Sequence, residues 1–434
     1  MKKAKITISS HIDFLQIVTN FVERSSLVFG LGKDEALKLT LASEEIFSYL
    51  CEVLPEEKEI EVTCIEGVYF VSVEFLFEKV RLSLKAFNIT ASGLQGLQED
   101  IKDLRDMGLL IAARSVEHLS LDETQDNKLR LKLIKDKVYP EPHDICLPDI
   151  KPVKIYSIKK PDADEIKIFS TLISAYYRDY PHPVAFTNPG KLSDMISSSI
   201  YSAVIAIDKT GLVVGGLIWR MMNEKVVEMF GPYLFNQEKE GHMAESLINA
   251  CIENIARTEV IGIFSRFVTP EFPKGSFEVT GSLTWYNEYN NPLDMTTYYR
   301  ALHEDTGTVV YIPKSIVDFI EKKYADLALP REVIITDYYG EDRGDHSVIT
   351  SEIDRLNRAV TLQQMQPGKD SLKNLKEHID IFKKEDINNI FFIADLGVRE
   401  HLIIINDLIE CGFEPRTIIP YGKRSDLIFF QYNR

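Results

Sequence analysis

Cysteines and histidines come first, because metal centres, disulfide frameworks and nucleophilic sites are built from them at characteristic spacings. Cys51, Cys64, Cys146, Cys251 and Cys411 are odd in number and widely separated, with no Cys-x-x-Cys pair. The nine histidines show no His-Glu-x-x-His or similar ligand spacing. A structural zinc site needs four closely placed N or S ligands, so no metal is expected, and no disulfide framework either. Reduced thiols fit a cytoplasmic chain. Gln366-Pro367-Gly368-Lys369-Asp370 superficially suggests a phosphate-binding turn. It lacks the Gly-x-x-x-x-Gly-Lys-Ser/Thr spacing, and a helix-capping turn fits it better. Glu44 and Glu45 are adjacent carboxylates in a helical pattern, where the plain reading is a solvated face.

The formal charge of −16 disfavours nucleic acid as a partner, since that binding leans on clustered Lys and Arg. The longest apolar stretches, 109–113 and 402–405, fall far short of the ~20 residues a membrane span needs, so no membrane partner is expected. Met1-Lys2-Lys3-Ala4-Lys5 is basic but is not followed by an apolar run, so a signal peptide is not expected and the location is read as cytoplasmic.

The elements that must position any chemistry fall into three runs. At 434 residues, two or three domains are expected. Residues 138–152 carry four prolines, which remove backbone donors and disfavour helix. They read as a linker. Before it, 6–8 reads as a strand and 13–29 and 33–54 as helices. Strands are predicted over 60–65, 68–75 and 79–85, with Glu66-Gly67 at a hairpin turn. A helix near 106–117 and a strand near 128–134 close this run as a two-layer α+β sandwich.

After the linker the pattern restarts. A strand over 154–158 and helices over 163–180 and 191–199 lead to a hairpin, 203–208 and 212–219, turning at Lys209-Thr210-Gly211. A strand over 226–233, a helix over 243–257 and a strand over 261–267 follow. The polar, aromatic segment 286–291 reads as a loop between the second and third runs. The third run has strands at 307–312, 332–338, 359–363, 390–394, 417–420 and 426–431, with helices at 314–324, 371–382 and 400–411. The fold class is therefore α+β or α/β multidomain. Its expected domains are 1–137, a linker 138–153, then 154–295 and 296–434.

Leu39-Thr40-Leu41-Ala42-Ser43-Glu44-Glu45-Ile46-Phe47-Ser48-Tyr49-Leu50 resembles the first conserved helix of anti-sigma-factor serine kinases, members of the GHKL ATPase group. The resemblance puts Glu45 at the position of the base and Tyr49 where an Asn should help hold magnesium, one turn on along the same face. Tyrosine lacks the amide carbonyl that such a ligand supplies. Leu82-Ser83-Leu84 stands where the family's Asp-x-Gly-x-Gly element should be, and the later Gly-rich turn survives around Gly108 in Met107-Gly108-Leu109. Over residues 3–135 the resemblance thus implies a degenerate nucleotide site. ATP is not expected as a cofactor, nor kinase or ATPase activity. It also implies a protein partner docked on the N-terminal domain.

Residues 154–281 resemble a GNAT-type N-acetyltransferase in the order of their elements and in the hairpin Ala206-Ile207-Asp208-Lys209-Thr210-Gly211-Leu212-Val213-Val214-Gly215-Gly216. Such a domain implies acetyl-CoA, held where a strand splays from its neighbour, with the pyrophosphate on the first amides of the next helix. The resemblance assigns that loop to Lys239, Glu240, Gly241, His242, Met243 and Ala244. One register sets Lys239 at the basic position and His242 at the first glycine; another sets Gly241 at the glycine and Glu238 at the basic position. The family also implies a base for the substrate ammonium, for which Glu228 is the candidate, and a tyrosine acid for the thiolate, where Phe277 stands instead.

Residues 409–431 resemble the closing helix, Gly-Phe turn and final hairpin of the same fold, with Gly412 at the helix C′ site. One or two GNAT-like mixed-sheet domains are expected. Two functions follow: transfer of an acetyl group from acetyl-CoA to a small-molecule or protein amine under a regulatory N-terminal domain, or a non-catalytic ligand-sensing or partner-binding scaffold in anti-sigma-type signalling.

Overall fold

The computed structural model describes residues 2–80, 88, 112, 115–124, 126, 128–140, 147–238, 242–336 and 343–433. It divides into two compact units, Met1–Pro140 with His346–Thr350, and Glu141–Asp345 with Ser351–Arg434. No helix among the described residues is long and apolar enough to cross a membrane.

In the first unit β1 (Lys3–Ser9), β2 (Glu59–Glu66), β3 (Phe70–Glu78), β4 (His118–Glu123) and β5 (Lys128–Asp136) form an antiparallel sheet in the order β1-β2-β3-β5-β4. Leu129, Leu131 and Leu133 alternate inward along β5, as period-two burial requires. Two helices, α1 (Leu15–Val28) and α2 (Lys33–Val53), lie against β2 and β5 respectively. On α2 the buried Ala36, Leu39, Ser43, Ile46, Phe47 and Leu50 recur at three- and four-residue spacing and make the inward stripe. The sequence pattern misses β4, whose two inward leucines are too short an alternation to stand out. The strand expected over 79–85 and the helix over 106–117 lie almost wholly outside the described residues.

In the second unit β6 (Ser157–Lys159), α3 (Ala163–Tyr176) and α4 (Pro189–Ser197) precede β7 (Ser202–Ile207), β8 (Val213–Met221) and β9 (Val226–Leu234). Asp162 and Glu165 form a capping box that starts α3. Next come α5 (Met243–Ile255), β10 (Gly262–Phe267), β11 (Glu278–Tyr286) and β12 (Pro292–Ala301). The seven strands run β11-β12-β10-β9-β8-β7-β6, with β9 and β10 parallel and the other pairs antiparallel. Three expectations change here. Residues 287–291 turn a hairpin inside this sheet, and the boundary drawn between 295 and 296 falls within β12. The strand placed at 154–158 begins only at Ser157, because Val153 is still tied back to Gln237.

Beyond it β13 (Thr308–Ile312) and β14 (Arg331–Ile335) pair in parallel around α6 (Val317–Asp326). The remaining strands are β15 (Val348–Asp354), β16 (Ala359–Gln366), β17 (Asn389–Asp395), β18 (Phe413–Ile419) and β19 (Leu427–Tyr432), with helices α7 (Ser371–Lys384) and α8 (Ile403–Glu410). Their order is β15-β16-β17-β19-β18. The two larger of these sheets share one local plan: a parallel pair joined through a helix, then a hairpin whose second strand inserts beside the pair. In the first sheet this is β9-α5-β10 with β11-β12; in the second it is β16-α7-β17 with β18-β19. Gly412 follows the last helix at φ +91°, the left-handed C′ conformation expected of it. Asp370 does precede α7, but its side chain makes no capping bond there.

Candidate functional site

All nine residues of β9 are buried, so any chemistry it carries acts in a dry environment. Glu228, 1% exposed, sits directly across from Arg220 on β8 and beside Arg266 on β10. One of its oxygens accepts from Arg220 Nε at 2.9 Å and Nη2 at 2.6 Å, and the other from Arg266 Nε at 2.7 Å. Burial alone would raise the carboxyl pKa, but Arg220 and then Arg266 outweigh it and hold it at about 2. Glu228, expected as a general base, is thus an ionised hub for two guanidiniums with both oxygens engaged. Arg266 also stacks on Phe267 and Phe429, at 4.7 and 5.4 Å from the ring centres.

Both arginines escape a motif search. The signal that finds Arg220 is hairpin symmetry: a turn over Asn223-Glu224-Lys225, centred on Glu224, makes 220 and 228 cross-strand partners.

The parallel pairing of β9 with β10 ends at Phe230 and Phe267, after a register shift, while β9 continues to Leu234. The sheet therefore parts there. The polar groups on the parted edge are not empty. Thr269 Oγ1 donates to the Pro232 carbonyl at 2.5 Å. Tyr177, just past α3 and 4% exposed, accepts from the Leu234 N–H at 2.7 Å. Its own hydroxyl lies 3.0 Å from the Leu234 carbonyl and 3.1 Å from the Glu271 carboxylate. Burial and then Glu271 push the Tyr177 phenol far up, so it stays protonated. Its ring packs edge-on against Tyr233 and Phe235, with centroids 5.1 and 6.4 Å away.

The turn after β9 is held by the linker. Asn236 Nδ2 donates to the Ile150 carbonyl at 2.7 Å, Gln237 Nε2 to the Lys151 carbonyl at 3.2 Å, and Val153 N–H to Gln237 Oε1 at 2.8 Å. Of the loop assigned to a pyrophosphate, Lys239, Glu240 and Gly241 lie outside the described residues. Met243 and Ala244 are buried at the start of α5, whose first turn has no side-chain cap. His242 points outward, its side chain 94% exposed and 3.6 Å from Glu245.

Phe277 follows a single 3₁₀ turn, Lys274–Ser276, rather than closing a helix, and the chain enters β11 at once. With Glu245, Ile248, Asn249, Ser276 and Arg300 it lines an open cleft of about 210 Å³ beside α5. It packs at a tilt against Phe272, ring centres 4.9 Å apart, and offers no proton.

In the first unit Tyr49 is buried on α2 and Glu45 half-buried one turn before it. Partial burial, and then Glu44, raise the Glu45 carboxyl pKa. Gly108 and Leu82-Ser83-Leu84 lie outside the described residues.

No family model matches the chain, and no curated protein matches it. Solved structures similar to part of it include N-acetyltransferases. One is a GNAT superfamily phosphinothricin acetyltransferase from Sinorhizobium meliloti in complex with AcCoA, 17% identical over 35% of this chain and 90% of that one, TM-score 0.28. Another, an N-acetyltransferase from Staphylococcus aureus Mu50, is 12% identical over 34% of this chain and 98% of its own, TM-score 0.28. A mutant spermidine/spermine N-acetyltransferase from Vibrio cholerae is 11% identical over 34% of this chain and 95% of its own, TM-score 0.26.

Proposed function

We propose that the second unit is a GNAT-type N-acetyltransferase module that takes acetyl-CoA where β9 parts from β10. The observation that carries this reading is the parting itself, next to the uncapped start of α5. Unpaired first-turn amides and the helix dipole suit a pyrophosphate, and a strand edge that has parted from its neighbour strand suits an extended chain with amide groups. When bound, acetyl-CoA supplies the activated acyl group. The chain's own task is to orient the amine, exclude water and keep the parted strand available. Neither Glu228 nor Phe277 is equipped to move a proton, so proton transfer falls to solvent or to the substrate itself. The similar plan of β16-α7-β17-β18-β19 supports reading it as a second GNAT-like lobe without a site of its own. The first unit we read as a degenerate GHKL-like docking module for a protein partner. Buried Tyr49 at the place of the magnesium Asn supports the loss of ATP chemistry.

The locked Glu228 and the sealed edge of β9 favour a second reading, a non-catalytic scaffold that senses a ligand or holds a signalling partner.

Calorimetric titration of the full chain with acetyl-CoA, CoA, ATP and ADP, alongside a labelled-acetyl assay on a panel of amines, tests both. Acetyl-CoA binding with acetyl transfer is the expected result. Binding without transfer moves the protein to the scaffold reading, and binding of neither coenzyme form removes acetyl-CoA altogether. Magnesium-dependent ATP turnover abolished by Glu45→Gln would overturn the reading of the first unit.

A further inference from the structure

The structure assigns to Tyr177 the role of an internal gate: its hydroxyl occupies the strand-edge position that the amide-bearing arm of acetyl-CoA would take, so binding requires Tyr177 to withdraw. This rests on the acetyl-CoA reading of the same cleft.

An unpaired strand edge presents N–H and C=O groups in alternation and is a ready template for another extended chain. The arm of coenzyme A is such a chain, with two amides spaced along it. In β9 the edge facing the parting is complete without any ligand. Tyr177 Oη accepts the Leu234 N–H at 2.7 Å and lies within donor range of the Leu234 carbonyl. Thr269 Oγ1 fills the Pro232 carbonyl next along. A hydroxyl both donates and accepts, so one phenol can imitate both halves of an amide.

The surroundings of the Tyr177 hydroxyl leave it a second partner besides Leu234. Glu271 offers the Tyr177 hydroxyl a second acceptor at 3.1 Å, so the phenol keeps a partner when it leaves Leu234. Tyr177 follows the last residue of α3 as its C-cap, where its N–H bonds to the Ile173 carbonyl. Because Tyr177 sits at the helix end, its withdrawal would disturb its ring contacts with Tyr233 and Phe235 and not the body of the helix. The neighbouring turn is pinned by linker residues through Asn236 and Gln237, so the parted strand itself stays in place as the ring moves.

The test uses the full chain, wild type, Tyr177→Phe and Thr269→Val, with acetyl-CoA as the probe. Hydrogen exchange at the Leu234 amide reads the seal, and calorimetry reads the coenzyme. Tyr177→Phe should speed Leu234 exchange and tighten acetyl-CoA by roughly tenfold, the scale of one or two net hydrogen bonds no longer competing with the ligand. Added acetyl-CoA should restore protection at Leu234. Thr269→Val should give a smaller tightening in the same direction, and it serves as the reporter if Tyr177→Phe does not fold. Unchanged Leu234 exchange in Tyr177→Phe, or equal acetyl-CoA affinity in all three proteins, would overturn the gate and leave the coenzyme reading intact. If none of the three binds acetyl-CoA, the coenzyme reading falls and the gate falls with it.

Discussion

Replacing Glu228 by Gln removes the one negative charge that Arg220 and Arg266 share. The carboxyl is held at about 2 in the fold against ~4.3 for an ordinary glutamate. A depressed carboxylate stabilises the folded state above its unfolded pKa, and that contribution fades as pH falls through ~4 toward 2. Glu228→Gln should therefore lower stability at pH 7 by about 2–3 kcal/mol, less than a fully buried pair would cost, because the Arg220 side chain is 38% exposed. The variant should also lose this part of the acid destabilisation seen in the wild type below pH ~4. Denaturant midpoints at pH 7 and pH 3 check both; an equal deficit at the two pH values would mean that the charge is not what Glu228 contributes.

At the scale of elements, the decisive contact is between β11 and β18, which brings the two larger sheets of the second unit edge to edge. The hydroxyls of Thr280, Thr297 and Thr417 meet in a buried triangle with sides of 2.8, 2.9 and 2.7 Å. Next to it a Cβ on Gly281 would stand 2.0 Å from the Arg416 carbonyl oxygen. No side chain fits there without moving backbone. Gly281→Ala should cost about 2–3 kcal/mol, within the range of overpacking a close-packed contact. A thermal melt is the check, with Gly275→Ala as the control because nothing lies within 4 Å of its added Cβ. Equal melting temperatures would place the sheets farther apart than this.

At the scale of the molecule, the linker and the first unit are both less simple than a proline-rich string. Ile150 is 2% exposed, and residues 150–153 are bonded to Asn236 and Gln237. The first unit also includes His346–Thr350, where Asn88 donates to the Ser347 carbonyl and accepts from the Ile349 N–H, both at 2.8 Å. Limited proteolysis should therefore cut before Ile150 and not between Ile150 and Lys154. The two fragments should then co-elute under native conditions, rather than releasing a free N-terminal piece. Early separation of the fragments on size exclusion would contradict the composition of the first unit.

Local patterning alone placed most helices and strands of the described residues, because inward stripes on α2 and alternation along β5 are written in neighbouring residues. It also located the hairpin at Lys209-Thr210-Gly211 and the helix stop at Gly412, whose turn chemistry is local too. What it could not decide depends on partners far apart in the chain. Glu228 reads as a candidate base until Arg266, 38 positions away, is seen to bind it. Tyr177 is one aromatic among many until folding sets its hydroxyl on Leu234, 57 residues on. Protonation state and strand-edge occupancy are properties of the assembled surroundings, and only the tertiary structure supplies those surroundings.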